Sequence, residues 1–251
     1  MKRTTWLSLA RGVAAVLALG GAGHALAQAL VVKASGPSAS HYPAGTRLAA
    51  GARVTLAAGD TLVLLDGHGT RTLQGPGSFP ATASTAAASA NNGVAALLAA
   101  RRTGQARIGA VRNVEGEDQP TRSPNLWYVD FAKPQTACVP DLGAVKLWRA
   151  DIAKQQSFKV IGDKGESATV VMPAGQAVAI WPKTMPVSDG AHFAVSGGSL
   201  TAPVDIRFAK VDSPQVRADA VADALISHGC TVQLDLLLAA VPSRTDAVAG
   251  N

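Results

Sequence analysis

Residues 53–79, RVTLAAGDTLVLLDGHGTRTLQGPGSF, constrain the fold of this chain more than any other stretch. Short apolar runs at about 53–57, 61–65 and 70–74 are separated by residues that favour turns: Gly59-Asp60, Asp66-Gly67-His68-Gly69 and Gly75-Pro76-Gly77. Glycine takes positive φ at little cost, and aspartate can bond its own turn backbone. The stretch therefore predicts antiparallel strands. The middle run, TLVLL, is apolar on both faces, so we expect it to be the most buried.

The second half of the chain repeats the strand pattern at a spacing of about 8–12 residues. The predicted strands lie at 125–131, 144–149, 156–161, 167–172, 176–181, 191–195 and 204–209. This rhythm indicates a β-sandwich, and the whole chain is predicted to be mainly β. The segment AVKLWRAD at 144–151 resembles the strand that places a core tryptophan in immunoglobulin-like or fibronectin-like modules.

Near its C-terminus the chain changes to helical periodicity. Ser213 can cap a helix, Pro214 suits its first position, and Gly229 suits its end. One apolar stripe between them is formed by Val216, Ala220, Val221, Ala224 and Leu225. Cys230–Val241 then forms either a second helix or a strand, and we favour the helix. We expect residues 242–251 to be a loose tail.

The first 27 residues have the pattern of a secretory signal peptide. Lys2 and Arg3 precede the short apolar run Gly12–Gly23, and Ala25-Leu26-Ala27 supplies small residues before a cut between Ala27 and Gln28. The alternative is an N-terminal membrane anchor, but the apolar run is shorter than the roughly 20 residues that a span needs. We expect a secreted, soluble chain that is not membrane-anchored after cleavage.

The charge of the mature chain gives no indication of nucleic-acid binding. The signal peptide carries Lys2, Arg3 and Arg11 and no acid, so its removal lowers the net charge from +6 to +3, with 20 basic residues against 17 acidic. The sequence also lacks a basic run with interleaved aromatic residues. We therefore expect no nucleic-acid partner.

Cys138 and Cys230 are the two cysteines of the sequence, and both lie in the mature chain. In an oxidising compartment an even pair most often forms a disulfide. The alternative is two separate buried thiols. Their separation does not match a C-x-x-C redox motif, and two thiols alone do not form a zinc site. We predict a structural disulfide.

The turn residues between 44 and 80 resemble those of a known family. A strand, an Asp-Gly turn, a second strand and a Gly-Pro-Gly-Ser corner are present at Asp66-Gly67 and Gly75-Pro76-Gly77-Ser78. This order resembles the FecR-type periplasmic domain, the sensory portion of ferric-citrate regulators. The resemblance implies a periplasmic location. It also implies a membrane-spanning partner, such as a sensor or transporter, because FecR regulators carry a span that the mature chain is expected to lack.

These observations give a predicted domain order. We expect a signal peptide at 1–27, a FecR-like β domain at 28–112 with a short helix at 94–102, a linker at 113–124, a β-sandwich at 125–212, a helical segment at 213–241 and the loose tail at 242–251. The linker is placed where charged residues and two prolines accumulate.

The sequence shows no recognised catalytic motif. It has no G-x-S-x-G elbow, no H-E-x-x-H and no P-loop, and His41, His68, His192 and His228 are scattered near turns. We predict no cofactor and no metal. The most suggestive cluster is Asp60, Asp66 and His68, expected on adjacent corners of the first sheet, where acid–base or metal chemistry would be feasible.

Two functional hypotheses follow. The first is a non-enzymatic periplasmic binding or accessory module that contacts an envelope protein or signal, with sheet edges accepting a partner strand. The alternative is an envelope hydrolase with an unrecognised site around Asp60, Asp66 and His68. A purely structural role in the envelope fits the same features as the first hypothesis.

Overall fold

In a computed structural model the fold is described for residues 28–82, 90–99, 122–212 and 217–247. This part of the chain is mainly β, as predicted. Its strands are β1 (Ala29–Ser35), β2 (Arg47–Leu48), β3 (Arg53–Leu56), β4 (Thr61–Asp66), β5 (Gly69–Gln74), β6 (Gly77–Pro80), β7 (Tyr128–Asp130), β8 (Gln135–Val139), β9 (Lys146–Trp148), β10 (Gln156–Gly162), β11 (Ser167–Met172), β12 (Val178–Ile180), β13 (His192–Gly197), β14 (Val204–Lys210) and β15 (Ser243–Ala247). Its α-helices are α1 (Ala90–Ala99), α2 (Ala218–Ser227) and α3 (Thr231–Ala240).

The N-terminal sheet has the strand order β15-β5-β4-β1-β2. Its pairs are antiparallel except for β15, which runs parallel to β5. A separate ribbon of β3 and β6 packs on one face and closes a small core that includes Val31, Val54, Leu64 and Phe79. The predicted strands at 53–57, 61–65 and 70–74 are therefore present, and β6 is an additional strand at the predicted Gly-Pro-Gly-Ser corner.

The central strands of this sheet are buried on both faces. Along β4, Leu62 and Leu64 point to the ribbon core, while Leu65 points to a second core on the opposite face. In β1, Val31 and Val32 divide between the same two cores. The burial expected for TLVLL is confirmed, because helices cover the face that the ribbon leaves open.

Two further sheets form a sandwich around their own core. The five-stranded sandwich sheet has the order β11-β10-β13-β14-β8, and the three-stranded sandwich sheet has the order β12-β9-β7. Between them pack aromatic rings with edge-on contacts, among them Trp181, Phe193 and Phe208. Two neighbouring pairs, β8 with β14 and β7 with β9, are parallel.

The helices lie between the N-terminal sheet and the sandwich. Their core joins Leu65 of β4, Val221 of α2 and Leu237 of α3 to residues of the sandwich such as Ala209. Gly229, at φ +70°, ends α2 as predicted, and the segment Cys230–Val241 is helical over α3. The C-terminal segment thus packs on both β regions.

Several expectations need correction. The tail predicted to be loose at 242–251 contains β15, which completes the N-terminal sheet. The helix predicted at 94–102 begins earlier, at Ala90, and residues 100–102 lie outside the described ranges. The predicted strand 125–131 is confined to β7, and β8 was not predicted.

Other predictions fall on residues outside the described ranges. These are the signal peptide with Ala27, the predicted capping residues Ser213 and Pro214, the stripe residue Val216, and most of the linker 113–124. The helix itself begins at Ala218, after Arg217 in an extended conformation, so its start was predicted too early. Gln28, on the other side of the predicted cut, is exposed and immediately precedes β1.

Candidate interaction edge

The outer strand of the five-stranded sandwich sheet, β11, pairs on one side only within the described residues. All six of its residues pair with β10 in an unbroken antiparallel register. Its sequence, SATVVM, contains no charged residue and no proline. An edge of this kind presents unpaired N–H and C=O groups, and proteins usually protect such an edge with charge, proline or a bulge. β11 has none of these protections.

The side chains of β11 alternate between core and solvent. Val170 and Met172 are buried in the sandwich core, whereas Val171 faces outward and is 51% exposed. Exposed β-branched side chains on an edge strand favour pairing with a further strand, because the added neighbour covers them.

The outer strand of the three-stranded sandwich sheet, β12, has a similar character. It pairs with β9 only, within the described residues, and its three residues are Val-Ala-Ile. Ile180 is 69% exposed. Val171 and Ile180 are the two exposed large hydrophobic side chains of the described part of the chain.

The two edges lie on the same side of the sandwich. β11 and β12 are in contact, and residues 173–177 join them directly. Val171 points off the outer face of one sheet and Ile180 off the outer face of the other, because their strand neighbours Val170 and Ala179 pack into the shared core. We call this pair of strands the β11–β12 edge.

A buried arginine fixes the connection between the two strands. Arg149 is 4% exposed, and its guanidinium donates to the carbonyl oxygens of Pro173 (2.7 Å), Gln176 (3.0 Å) and Met172 (3.2 Å), which all belong to or adjoin this connection. A fourth bond goes to the carbonyl of Lys154 at 2.9 Å. A buried cation requires this degree of satisfaction. Arg149 therefore sets how β11 and β12 lie relative to each other.

The residues of the alternative hydrolase hypothesis do not meet. Asp60 immediately precedes β4 and Asp66 ends it, so a six-residue strand separates them, which corresponds to roughly 20 Å. His68 is exposed in the β4–β5 turn beside Asp66. The expectation that the three share adjacent corners was wrong for Asp60.

Each carboxylate has a local structural role. Asp60 is 2% exposed, and its two oxygens accept the N–H groups of Ser38 (2.9 Å) and Ala57 (2.5 Å). Hydrogen bonds from Ser38, first from its N–H and then from its side chain, hold the pKa of Asp60 below its usual value. Asp66 accepts the His68 N–H at 2.8 Å and lies 3.8 Å from the guanidinium of Arg244 on β15.

Two surface cavities, of about 290 and 160 Å³, are both lined by Tyr128. Asp60, Asp66 and His68 line neither of them. Beside the larger cavity, Nδ2 of buried Asn125 has no hydrogen-bond partner among the described residues, but that atom has almost no accessible surface and cannot reach a ligand there. The larger cavity has mainly aromatic and aliphatic walls. The smaller cavity is lined mostly by charged and polar side chains, among them Arg122, Asp130, Lys133 and Asp235.

The remaining candidate ligands are also dispersed. His192 lies between two exposed carboxylates, 2.8 Å from Asp163 and 3.3 Å from Asp205, while His41 and His228 are exposed elsewhere. Within the residues that the structure describes, no three His, Cys, Asp or Glu side chains are arranged to hold a metal ion.

The predicted cysteine pair is at disulfide distance. Cys138 on β8 and Cys230 before α3 have Cα atoms 5.9 Å apart and are bonded. Beside them Gln233 of α3 accepts the Cys138 N–H and donates to the carbonyls of Cys138 and Leu126. This cluster fastens α3 to the sandwich.

Sequence reasoning did not single out Arg149 or Gln233. Arg149 directly follows the buried Leu147 and Trp148 of β9, which is a weak signal because an arginine at a strand end is ordinarily solvated. Gln233 had no signal beyond its position in an apolar helix.

Comparison with protein-family models, with curated proteins and with solved structures found no match. Among the helices of the described ranges, none combines the length and hydropathy needed to cross a membrane.

Proposed function

We propose that this chain is a non-enzymatic periplasmic binding or accessory module that contacts another envelope protein. The contact is made by strand addition, in which an extended segment of the partner pairs with the open side of β11. Main-chain hydrogen bonds supply the attraction, and side chains beside Val171 supply the selectivity.

One observation carries this proposal: β11 is a six-residue edge without charge, proline or bulge, and it exposes Val171. An unprotected edge of this kind tends to cause aggregation unless it pairs with a specific partner. The rigid connection held by Arg149 supports the same reading, since a preformed edge loses little conformational entropy on binding.

The resemblance of residues 44–80 to the FecR-type periplasmic domain supplies the class of partner. It favours a membrane-spanning sensor or transporter whose periplasmic portion includes an extended segment. The signal-peptide pattern at 1–27 and the disulfide between Cys138 and Cys230 support an oxidising, extracytoplasmic location.

Site-specific photo-crosslinking in envelopes of the source cells tests the proposal. A crosslinking residue at Thr169, exposed on β11, is compared with one at Thr245, exposed on β15. We expect Thr169 to give a discrete adduct with a membrane protein, and we expect Val171→Lys to remove it. Identical adducts from both positions, or none from Thr169, would contradict strand addition at β11.

A further inference from the structure

The smaller of the two surface cavities lies between helix α3 and the sandwich. On the helix side it is lined by Val232, Asp235 and Leu236, and on the sandwich side by Tyr128 and Asp130. Its volume is about 160 Å³. Sites for drug-sized ligands enclose roughly 300–1,000 Å³, so this cavity is suited to a smaller molecule.

Both walls of the cavity are held in place by hydrogen bonds. On the helix side, Gln233 bonds to the backbone of Leu126 and Cys138, next to the disulfide that fastens α3 to the sandwich. On the sandwich side, the amide of Gln135 donates to the carbonyl oxygen of Asp130. A cavity with fixed walls loses little conformational entropy when a ligand binds.

The charged groups of the cavity are balanced in sign. Two bases, Arg122 and Lys133, and two acids, Asp130 and Asp235, line it. Nζ of Lys133 lies 3.7 Å from a carboxylate oxygen of Asp130, so these two charges offset each other. Arg122 and Asp235 are exposed, and neither forms an ion pair with a described residue. The cavity therefore presents one unpaired positive group and one unpaired negative group.

This balance selects the chemistry of a ligand. A small anion is attracted by Arg122 and repelled by Asp235, and a small cation experiences the reverse. A molecule that carries both a carboxylate and an ammonium group satisfies the two residues together, because a guanidinium binds a carboxylate in bidentate fashion and a carboxylate accepts from an ammonium. The half-buried Val232 and Leu236 add an apolar wall for an aliphatic group.

We propose that the smaller cavity binds a free α-amino acid with a small aliphatic side chain. Arg122 binds its carboxylate, Asp235 binds its ammonium group, and Val232 and Leu236 contact its side chain. This binding site goes beyond the proposed contact at β11, because none of the residues that line the cavity belongs to β11 or β12. The chain then has separate surfaces for a small ligand and for a protein partner.

Titration with valine, followed by the amide NMR signals of the chain produced from its complete sequence, tests the site. We expect saturable shifts of the amides at 232–236. Isovalerate, which lacks the ammonium group, and isobutylamine, which lacks the carboxylate, should each bind at least about tenfold more weakly. No saturation by valine, or equal binding of the three compounds, overturns the proposal.

Two substitutions locate the binding. Asp235→Asn and Arg122→Gln each remove one charge from an exposed side chain, and each should weaken valine binding by at least about tenfold. Asp212→Asn and Arg207→Gln, exposed and outside the cavity, are the matched controls and leave it unchanged. Valine binding that neither cavity variant weakens overturns the proposal. Persistent Thr169 adducts without valine binding reject the amino-acid site alone, whereas valine binding without those adducts supports it and rejects the β11 contact.

Discussion

The outer strands of the N-terminal sheet differ in length and charge from β11, an outer strand of the sandwich. β2 has only two residues, and its Arg47 is 2.9 Å from Asp223 of α2, while β15 carries Arg244 near Asp66. In the sandwich, β11 extends over six residues without a charge. Short or charged edges resist pairing with another chain, and long uncharged edges permit it. The outer strands of the N-terminal sheet are therefore protected against pairing with another chain, whereas β11 is not.

The largest loss of stability is expected from replacing Arg149, which holds the connection between β11 and β12. Arg149→Met leaves buried carbonyls around the β11–β12 connection without donors, and we expect a loss of about 3–5 kcal/mol in the free energy of unfolding. Denaturant unfolding measures it. Arg207→Met, at an exposed position of β14, is the control and should change the value by less than about 0.5 kcal/mol. Equal effects of the two substitutions would show that the bonds of Arg149 add little.

The next effect tests the junction between the two regions. Replacing Cys138 and Cys230 together by serine removes a crosslink over 92 residues. We expect a loss of about 2–4 kcal/mol in the free energy of unfolding, below the roughly 4–5 kcal/mol of the chain-entropy model. Reduction of the native chain should give the same loss. A decrease below about 0.5 kcal/mol would mean that Gln233 and the helix core hold the junction without the disulfide.

A third experiment gives the N-terminal sheet an unprotected outer strand, like β11 of the sandwich. Ending the chain after Pro242 removes β15 and leaves the outer side of β5 unpaired. We expect a loss of about 1–3 kcal/mol in stability and new self-association that Val171→Lys does not remove. Ending the chain after Ala247 instead keeps β15 and serves as the control. If ending the chain after Pro242 leaves self-association unchanged, β15 does not protect the outer side of β5 from pairing.

The smallest expected effect is the pH-dependent contribution of Asp60 to stability, at the turn before β4. The lowered pKa of Asp60 means that its stabilising effect is present above its usual pKa of 3.8 and is lost as the pH falls through the folded-state value. The stability difference between the native chain and Asp60→Asn should therefore be constant from about pH 7 to 5 and shrink below about pH 4. Asp212→Asn, at an exposed carboxylate, controls for loss of one charge. A difference that stays constant into acid would contradict this role.

Local chemistry explains which strands were predictable. β4 and β5 meet at Asp66-Gly67-His68-Gly69, where the turn residues alone determine a hairpin, and β11 was predicted with its observed bounds. β8 was not predicted because it lies in a short QTACV segment whose partner, β14, is far along the chain and parallel. β15 was missed for the same reason, since its partner β5 precedes it by more than 160 residues.

The candidate site was less predictable than the fold. The sequence of β11 shows that the strand is apolar and uncharged, but whether it lies at an edge depends on the order of strands in the sheet. The grouping of Asp60 with Asp66 failed because sequence proximity across an extended strand means spatial separation. Arg149 acquires its role only when residues 173–177 fold against it.

The pairing of β15 with β5 also fixes when the first sheet can be completed. Synthesis proceeds from the N-terminus, so β5 emerges long before β15, and its outer side has no native neighbour during the whole interval. Through that time the region that is protected in the finished protein is the one that exposes an unpaired strand. A chaperone that shields extended segments would therefore act on β5, early in the life of the chain.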